Sequence, residues 1–190
     1  MSRIPAHTVD SAPERSRETL RVLEKRFGKL LNVHAEMGHA PVVLAAYAAM
    51  SDAIAEHGTF DARTREAVAL AVGAVDHCDY CQSAHTLSAK AAGLSEEQTV
   101  AVRRGEVGFD PKLAVLVAVV REIASDVGEV DDATWQRGLD AGWSDVDAGW
   151  SDVELTEAFA HVVANLFTNY FNHYARTDLD VPPAPGLQGG

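Results

Sequence analysis

The segment EAVALAVGAV, residues 66–75, is apolar on nearly every side if it forms a helix. Such a helix has no polar stripe to turn toward water, so other elements of the fold must surround it. The rest of the chain also has helical rather than alternating apolar patterns, and no Asn-Gly or Asp-Gly turn joins two β-branched runs. The sequence therefore predicts an all-α helical bundle packed around one buried helix, at about residues 61–75.

Turn residues and capping patterns divide the chain into about eight helices, which we place in a single domain over residues 13–181. Gly93 and Gly105 are expected at helix C-termini, and the pattern SEEQ at residues 95–98 is a capping box. Residues 1–12 are predicted to be a flexible arm. Residues 182–190, PPAPGLQGG, are predicted to be a disordered tail.

A repeated unit of seven residues precedes the last predicted helix, about Asp152–Ala175. AGWSDVD at residues 141–147 is followed directly by AGWSDVE at residues 148–154. Each copy contains a capping-box pattern, but only one copy can cap the helix. We predict that Ser151 is the cap, because an apolar helical pattern follows it without a break. The other copy would form an extra turn, or Trp143 or Trp150 would contact a partner.

The composition argues against several classes of partner. The formal net charge is -12 and the pI is about 5.0, whereas nucleic acids and anionic lipid surfaces attract basic proteins. No uninterrupted apolar run is long enough to span a bilayer, and MSRIPAHTVDSAPERS lacks the apolar core of a secretory signal. Two cysteines cannot form a secreted disulfide framework. We therefore expect a cytoplasmic protein that binds neither nucleic acid nor membranes.

Both cysteines lie in DHCDYCQSAH, residues 76–85. In a helix that begins near Cys78, the side chains of Cys78, Cys81 and His85 share one narrow stripe. Free N–H groups and the helix dipole favour a thiolate on Cys78 in the first turn. A disulfide between the two cysteines would close a very small loop and stabilise the fold little. These residues therefore indicate redox chemistry or metal binding rather than a structural disulfide.

Glu66 is a carboxylate inside the most apolar helix, where it needs a partner. It could pair with Arg63 on the preceding turn, or it could carry protons to and from the cysteines. A tetrahedral zinc site is a further alternative. Its ligands would be Cys78, Cys81, His85 and either His77 or Glu66.

The segment REAVALAVGAVDHCDYCQSAHTLSAKAAGLSEEQ, residues 65–98, resembles the core of the alkylhydroperoxidase D-like branch of the carboxymuconolactone decarboxylase superfamily. That core has a Glu, then eleven residues, then Cys-x-x-Cys-x-x-x-His. The later segment VVANLFTNYFNHYARTDLDVP, residues 162–182, is similar to the C-terminal helix of the family. The resemblance implies an AhpD-like all-α fold and a homo-oligomer, commonly a dimer, trimer or hexamer. The core motif falls here on Glu66, Cys78, Cys81 and His85.

The resemblance also implies an activity, namely thiol-dependent reduction of a small hydroperoxide. Cys81 would attack the peroxide and Cys78 would resolve the resulting sulfenic acid as a disulfide. His85 and Glu66 would form a proton relay. No bound cofactor is implied, and an external dithiol, such as a lipoyl group on a carrier protein, would reduce the disulfide. Position on the helix favours Cys78 as the more acidic thiol; we follow the family assignment to Cys81, because His85 is one turn away from it.

Other functions remain open at this point: a non-enzymatic redox sensor, an oligomeric scaffold, or a lyase like the enzyme for which the superfamily is named. His161 is expected to be a core residue and His77 a surface residue, unless the fold brings either of them to the cysteines. The remaining polar and aromatic side chains of the last helix are expected to serve packing or subunit contacts. They are Asn165, Asn169, Asn172, Tyr170, Phe171 and Tyr174.

Overall fold

The computed structural model describes residues 2–141 and 149–187, which form nine α-helices and no strand. The all-α prediction is therefore confirmed. No helix in these ranges is long and apolar enough to cross a lipid bilayer. The helices are α1 Glu14–Phe27, α2 Asn32–Met37, α3 Pro41–His57, α4 Ala62–Val75, α5 Asp79–Ala91, α6 Glu96–Arg104, α7 Pro111–Ser125, α8 Asp132–Asp140 and α9 Asp152–Ala175.

Helix α4 is the central element of the bundle, and it packs against α5, α6, α7 and α9. It begins after Asp61, whose side chain accepts a hydrogen bond from the Thr64 N–H. Residues 67–73 of α4 are all buried, as the apolar pattern predicted. A fully buried leucine such as Leu70 contributes about 2 kcal/mol to the stability of the fold. The burial of α4 fixes its end, and therefore the position of the cysteine segment that follows.

Helix α2 was not predicted, and it accounts for the difference between eight and nine helices. It is only six residues long, too short for a helical period to be visible. Its N-cap residue, Leu31, offers no side-chain cap that would have marked the start of a helix. Residues 33–37 of α2 are nevertheless buried, because the helix packs on α1, α3 and α9.

The described parts of the two terminal segments, predicted to be a flexible arm and a disordered tail, contact the helical bundle. The N–H of Arg3 donates to the Ala175 carbonyl at 2.7 Å, and the N–H of His7 donates to the Ala35 carbonyl at 3.1 Å. Near the other end, the N–H of Ala184 donates to Ser83 Oγ at 3.1 Å. Backbone groups at the ends of helices and one side-chain hydroxyl thus hold both segments on the bundle. Residues 188–190 of the predicted tail lie outside the described ranges.

The prediction that Ser151 caps the last helix is confirmed. Ser151 and Glu154 form a complete capping box, in which each side chain bonds the other residue's backbone N–H. Trp150 is buried in the core, and its Nε1 donates to the Lys112 carbonyl at 2.9 Å. The second copy of the repeat therefore anchors α9. Residues 142–148, which include Trp143 and most of the first copy, lie outside the described ranges.

Candidate functional site

The cysteine segment forms the turn between α4 and α5. The chain reverses at Asp76 and His77, and His77 has a left-handed backbone with φ 53°. Cys78 is then the N-cap of α5, and its Sγ accepts a hydrogen bond from the Cys81 N–H at 3.4 Å. This start of the helix agrees with the prediction. It places the two sulfurs in the same first turn, where free N–H groups favour negative charge.

The two thiols are buried and are joined by a hydrogen bond. Cys78 is 2% exposed and Cys81 is 3% exposed. The Cys81 S–H donates to the sulfur of Cys78, and this hydrogen bond lowers the pKa of Cys78 to about 7 in spite of burial. The same hydrogen bond, together with burial and the negative charge on Cys78, raises the pKa of Cys81 well above its ordinary value. The first thiolate therefore forms on Cys78, as its position at the helix start predicted.

Cys81, the less acidic thiol, faces a cavity of about 240 Å³. His85 lines the same cavity one turn further along α5. Apolar side chains form most of the remaining wall, in particular Phe27, Leu31, Val33, Leu87 and Val181. A small molecule in this cavity would meet the sulfur of Cys81 in surroundings that contain little polar surface.

Glu66 and His85 form a direct pair between α4 and α5. His85 Nδ1 lies 2.8 Å from Glu66 Oε2. Burial disfavours the charged imidazole, but the charge and the hydrogen bond of Glu66 outweigh it, so the pKa of His85 is raised. Arg63 is not the partner of Glu66; it pairs with Asp110 at 2.7 Å. The structure thus brings together all four residues of the predicted motif.

Helix α9 adds residues that the sequence reading missed. Asn172 Nδ2 lies 3.2 Å from Cys81 Sγ, although the sequence predicted packing or subunit contacts for this residue. Thr168, one turn earlier, lines the same cavity and helps to lower the pKa of Cys81, while its hydroxyl donates to the Asn165 carbonyl at 2.9 Å. The available signal was a polar pair four residues apart on a largely apolar helix. Asn169 follows the packing expectation, since its Nδ2 donates to Asp76 Oδ2 at 2.8 Å.

A second polar pair, His34 and Tyr47, lines the cavity from α2 and α3. His34 Nε2 lies 3.2 Å from the Tyr47 hydroxyl. Burial lowers the pKa of His34 to about 4, so its imidazole is neutral near pH 7. Neither residue was predicted, because nothing in the local sequence indicates that α2 folds back onto the cysteines.

The two histidines that were left open are not brought to the thiols. His161 is buried elsewhere, where its Nε2 lies 3.1 Å from Glu157 Oε1 and its ring stacks on Phe60. His77 is exposed at the turn before Cys78. In the part of the chain that the structure describes, no group of three or more His, Cys, Asp or Glu side chains is arranged to hold a metal ion.

The helical fold of this chain is one that solved structures also show. The chain superposes on the alkylhydroperoxidase AhpD core of an uncharacterized peroxidase-related protein from Ralstonia eutropha JMP134, with a TM-score of 0.81 and 19% identity over 94% of this chain and 92% of that one. It also superposes on the debrominase Bmp8 in complex with 2,3,4-tribromopyrrole, with a TM-score of 0.75 and 14% identity over 93% and 90% of the two chains. At these identities the likeness concerns the fold.

Sequence comparison shows a similarity over part of the chain. Residues 41–122 match the carboxymuconolactone decarboxylase family, and this segment carries all four residues of the motif. The match supports the resemblance to the carboxymuconolactone decarboxylase superfamily, and the superposition shows the fold of an AhpD core. An uncharacterized protein from Haemophilus influenzae is 41% identical over 63 residues, which are 33% of this chain. The match spans 50% of the length of that relative.

Proposed function

We propose that this chain is a thiol-dependent hydroperoxide reductase, with Cys81 as the attacking thiol and Cys78 as the resolving thiol. The observation that carries the proposal is the position of Cys81, which faces an apolar cavity while touching both an N–H donor and a second thiol. The Glu66–His85 pair at the same cavity supplies a group that can take up and release a proton.

The first step needs the negative charge to move from Cys78 to Cys81. The Cys81 S–H already donates to Cys78, so transfer of that proton along the hydrogen bond leaves a thiolate on Cys81 beside the Asn172 amide. The Cys81 sulfur then attacks the terminal oxygen of the hydroperoxide. An S–O bond forms, the O–O bond breaks, and the leaving alkoxide takes a proton from the His85 imidazolium. The products are a sulfenic acid on Cys81 and an alcohol.

The second step forms a disulfide between the two cysteines. Cys78 attacks the sulfur of the Cys81 sulfenic acid, an S–S bond forms, and hydroxide leaves as water after it gains a proton. An external dithiol, such as a lipoyl group on a carrier protein, then reduces the disulfide by exchange and becomes oxidised itself. No cofactor bound to this chain is needed in the sequence of steps. A reducing compartment such as the cytoplasm would keep both thiols free between cycles.

A second candidate function is reductive removal of a halogen, in which the two thiols would again supply two electrons and become a disulfide. The cavity is largely apolar and is bordered by the rings of Phe27, Tyr47 and Tyr80, which suits a flat halogenated aromatic. In that reaction the Cys81 thiolate would take the halogen, the aromatic carbon would gain a proton, and Cys78 would displace halide to form the disulfide. The fold shared with the debrominase Bmp8 motivates this candidate.

We also propose a homo-oligomer, with α3 and α9 at the contact between subunits. Large apolar side chains of these two packed helices face outward: Val42 is 76% exposed, Tyr170 58% and Tyr174 69%. An exposed apolar surface of this kind is typical of an interface between chains.

The deciding experiment measures free thiols, intact mass and repeated turnover. The reduced chain is treated with cumene hydroperoxide, and dihydrolipoamide is then supplied while peroxide consumption is followed. We expect loss of both thiols, a mass decrease of two hydrogens, and continued turnover, with none of these in Cys81→Ser. Oxidation of both thiols without turnover would instead indicate a redox sensor. Survival of both thiols after peroxide treatment, together with bromide release and disulfide formation on exposure to 2,3,4-tribromopyrrole, would favour the debrominase.

A further inference from the structure

The His34 side chain is a buried polar group with unused hydrogen-bonding capacity. It is 3% exposed, and its Nδ1 atom is buried without a hydrogen-bond partner among the described residues. Its ring lies between two aromatic rings, with centroids 5.1 Å from that of Phe27 and 5.2 Å from that of Tyr47. The fold therefore leaves part of the hydrogen-bonding capacity of this side chain unused.

The His34–Tyr47 pair keeps one hydrogen-bond donor free in either tautomer. A neutral imidazole carries one N–H and a phenol carries one O–H, and the contact at 3.2 Å uses only one of these hydrogens. If Tyr47 donates to Nε2, the free donor is the Nδ1–H of His34. If Nε2–H donates to Tyr47, the phenol hydrogen is free instead, within reach of Ser51 as well as the cavity. Burial raises the pKa of Tyr47, so this group stays a donor.

The charges around the cavity disfavour an anionic ligand. Lys29 also lines the cavity, but its ammonium pairs with Asp180 Oδ2 at 3.2 Å. The His34 imidazole is neutral, and the positive charge of His85 is balanced by Glu66 at 2.8 Å. The thiolate that forms on Cys78 repels negative charge. The largely apolar wall therefore favours an uncharged molecule with a small polar end.

We propose that His34 and Tyr47 form the hydrogen-bonding subsite of this cavity, where they bind the oxygen of a neutral, otherwise apolar alcohol or hydroperoxide. The Tyr47 hydroxyl, which His34 holds in place at 3.2 Å, makes the hydrogen bond to the ligand, and the apolar wall holds the hydrocarbon part. The extension to a hydroperoxide rests on the proposed function. In that case the contacted oxygen is the one that leaves as alkoxide. His34 is then a positioning residue, because it holds the Tyr47 hydroxyl that makes the contact.

Binding of a product alcohol tests the subsite without any redox step. Calorimetry on reduced Cys81→Ser compares 2-phenylpropan-2-ol with isopropylbenzene, which has the same shape but no hydroxyl group. We expect Tyr47→Phe and His34→Asn each to weaken alcohol binding about 3–10-fold and to leave isopropylbenzene binding within about twofold. Tyr170→Phe removes a phenol hydroxyl that does not line this cavity, keeps the aromatic ring that we place at the subunit contact, and is the matched control.

The outcomes separate this proposal from the proposed function. Equal loss of alcohol and isopropylbenzene binding in Tyr47→Phe would show that the ring shapes the cavity without a hydrogen bond, and would overturn the subsite. Failure of the parent Cys81→Ser chain to bind the alcohol would overturn it as well. If the alcohol binds as expected while the chain with both cysteines consumes no hydroperoxide, the subsite stands and the reductase activity is wrong. If the Tyr47→Phe chain with both cysteines keeps the full kcat/KM for cumene hydroperoxide, the peroxide part of the proposal is wrong.

Discussion

Asn172 Nδ2 lies 3.2 Å from Cys81 Sγ and 4.0 Å from Cys78 Sγ, so one amide from α9 contacts both sulfurs of a pair carried by α5. A hydrogen bond to a thiolate favours the charged form of the thiol. Asn172 therefore lowers the pKa of Cys81 and partly offsets the neighbouring Cys78 and burial, which raise it. The reactivity of the pair depends on a helix about ninety residues away in the sequence.

Replacing Asn172 with Leu should slow the reaction of Cys81 with iodoacetamide about tenfold at pH 8. The substitution removes the N–H donor, so a smaller fraction of Cys81 is thiolate at a given pH. Alkylation of each cysteine is followed by peptide mass spectrometry over time. Asn165→Leu is the control, because the Asn165 amide donates to the His161 carbonyl on the same helix and not to a sulfur. Equal rates in the two variants would show that the Asn172 contact has no effect on the thiol.

The acidity of Cys78 should depend on the hydrogen that Cys81 donates. Thiolate absorbance at 240 nm should show a first titration near pH 7 in the reduced chain, in line with a pKa of about 7 for Cys78. Cys81→Ser keeps a donor at this position, so its midpoint should stay within about half a unit of that value. Cys81→Ala has no donor, and its midpoint should rise by about one unit or more. Identical midpoints in the Ser and Ala variants would contradict this dependence.

The Glu66–His85 pair should make the stability of the fold depend on pH. The pKa of His85 is raised above the ordinary value of 6.5 in the folded chain, because the charge and hydrogen bond of Glu66 outweigh burial. The stabilisation is therefore complete below pH 6.5 and is lost as the pH rises through the folded value. Glu66→Gln should lower the free energy of unfolding by about 1 kcal/mol at pH 6 and by clearly less at pH 9.

Urea unfolding at the two pH values measures this difference. Glu96→Gln is the matched control, because it removes a carboxylate that pairs with Lys90 at 3.0 Å, and a lysine ammonium keeps its charge across this range. The control should therefore lose the same small amount of stability at pH 6 and pH 9. A loss for Glu66→Gln that does not change with pH would mean that His85 does not titrate against Glu66.

Most of the motif could be predicted from the sequence because its parts lie close along the chain. Cys78, Cys81 and His85 occupy one stripe of α5, and Glu66 lies on the helix directly before it. Two adjacent helices joined by a short turn must pack together, but spacing alone left Arg63 open as the partner of Glu66, and the family resemblance supplied the relay with His85. The buried character of α4 was visible for a similar reason, since it depends only on local composition.

The opposite wall of the cavity could not be predicted because it depends on long-range packing. His34 comes from a six-residue helix without a side-chain cap, and Asn172 from a helix that returns to the cysteines after most of the chain. A periodic pattern shows which face of a helix is buried but not which residue it meets. The contacts of the terminal segments with the bundle depend on long-range packing in the same way, and their local composition gives no sign of them.

The repeat before α9 should tolerate removal of one copy. Ala141 and Gly149, the described residues on either side of residues 142–148, lie side by side: a Cβ on Gly149 would come within 3.2 Å of the Ala141 nitrogen and would collide with the Leu139 carbonyl oxygen. Deleting residues 142–148 joins these two positions and leaves a single AGWSDVE, with Trp150 and the Ser151–Glu154 capping box intact. Because loop length has little effect on stability, we expect the free energy of unfolding to change by less than about 1 kcal/mol, with unchanged subunit mass in solution.

Ser151→Ala should cost about 1 kcal/mol in both the full chain and the shortened chain, because the cap belongs to the copy that is kept. A loss of more than about 2 kcal/mol on deletion, or a cost for Ser151→Ala in only one of the two chains, would show that residues 142–148 support α9 and are not a tolerated insertion.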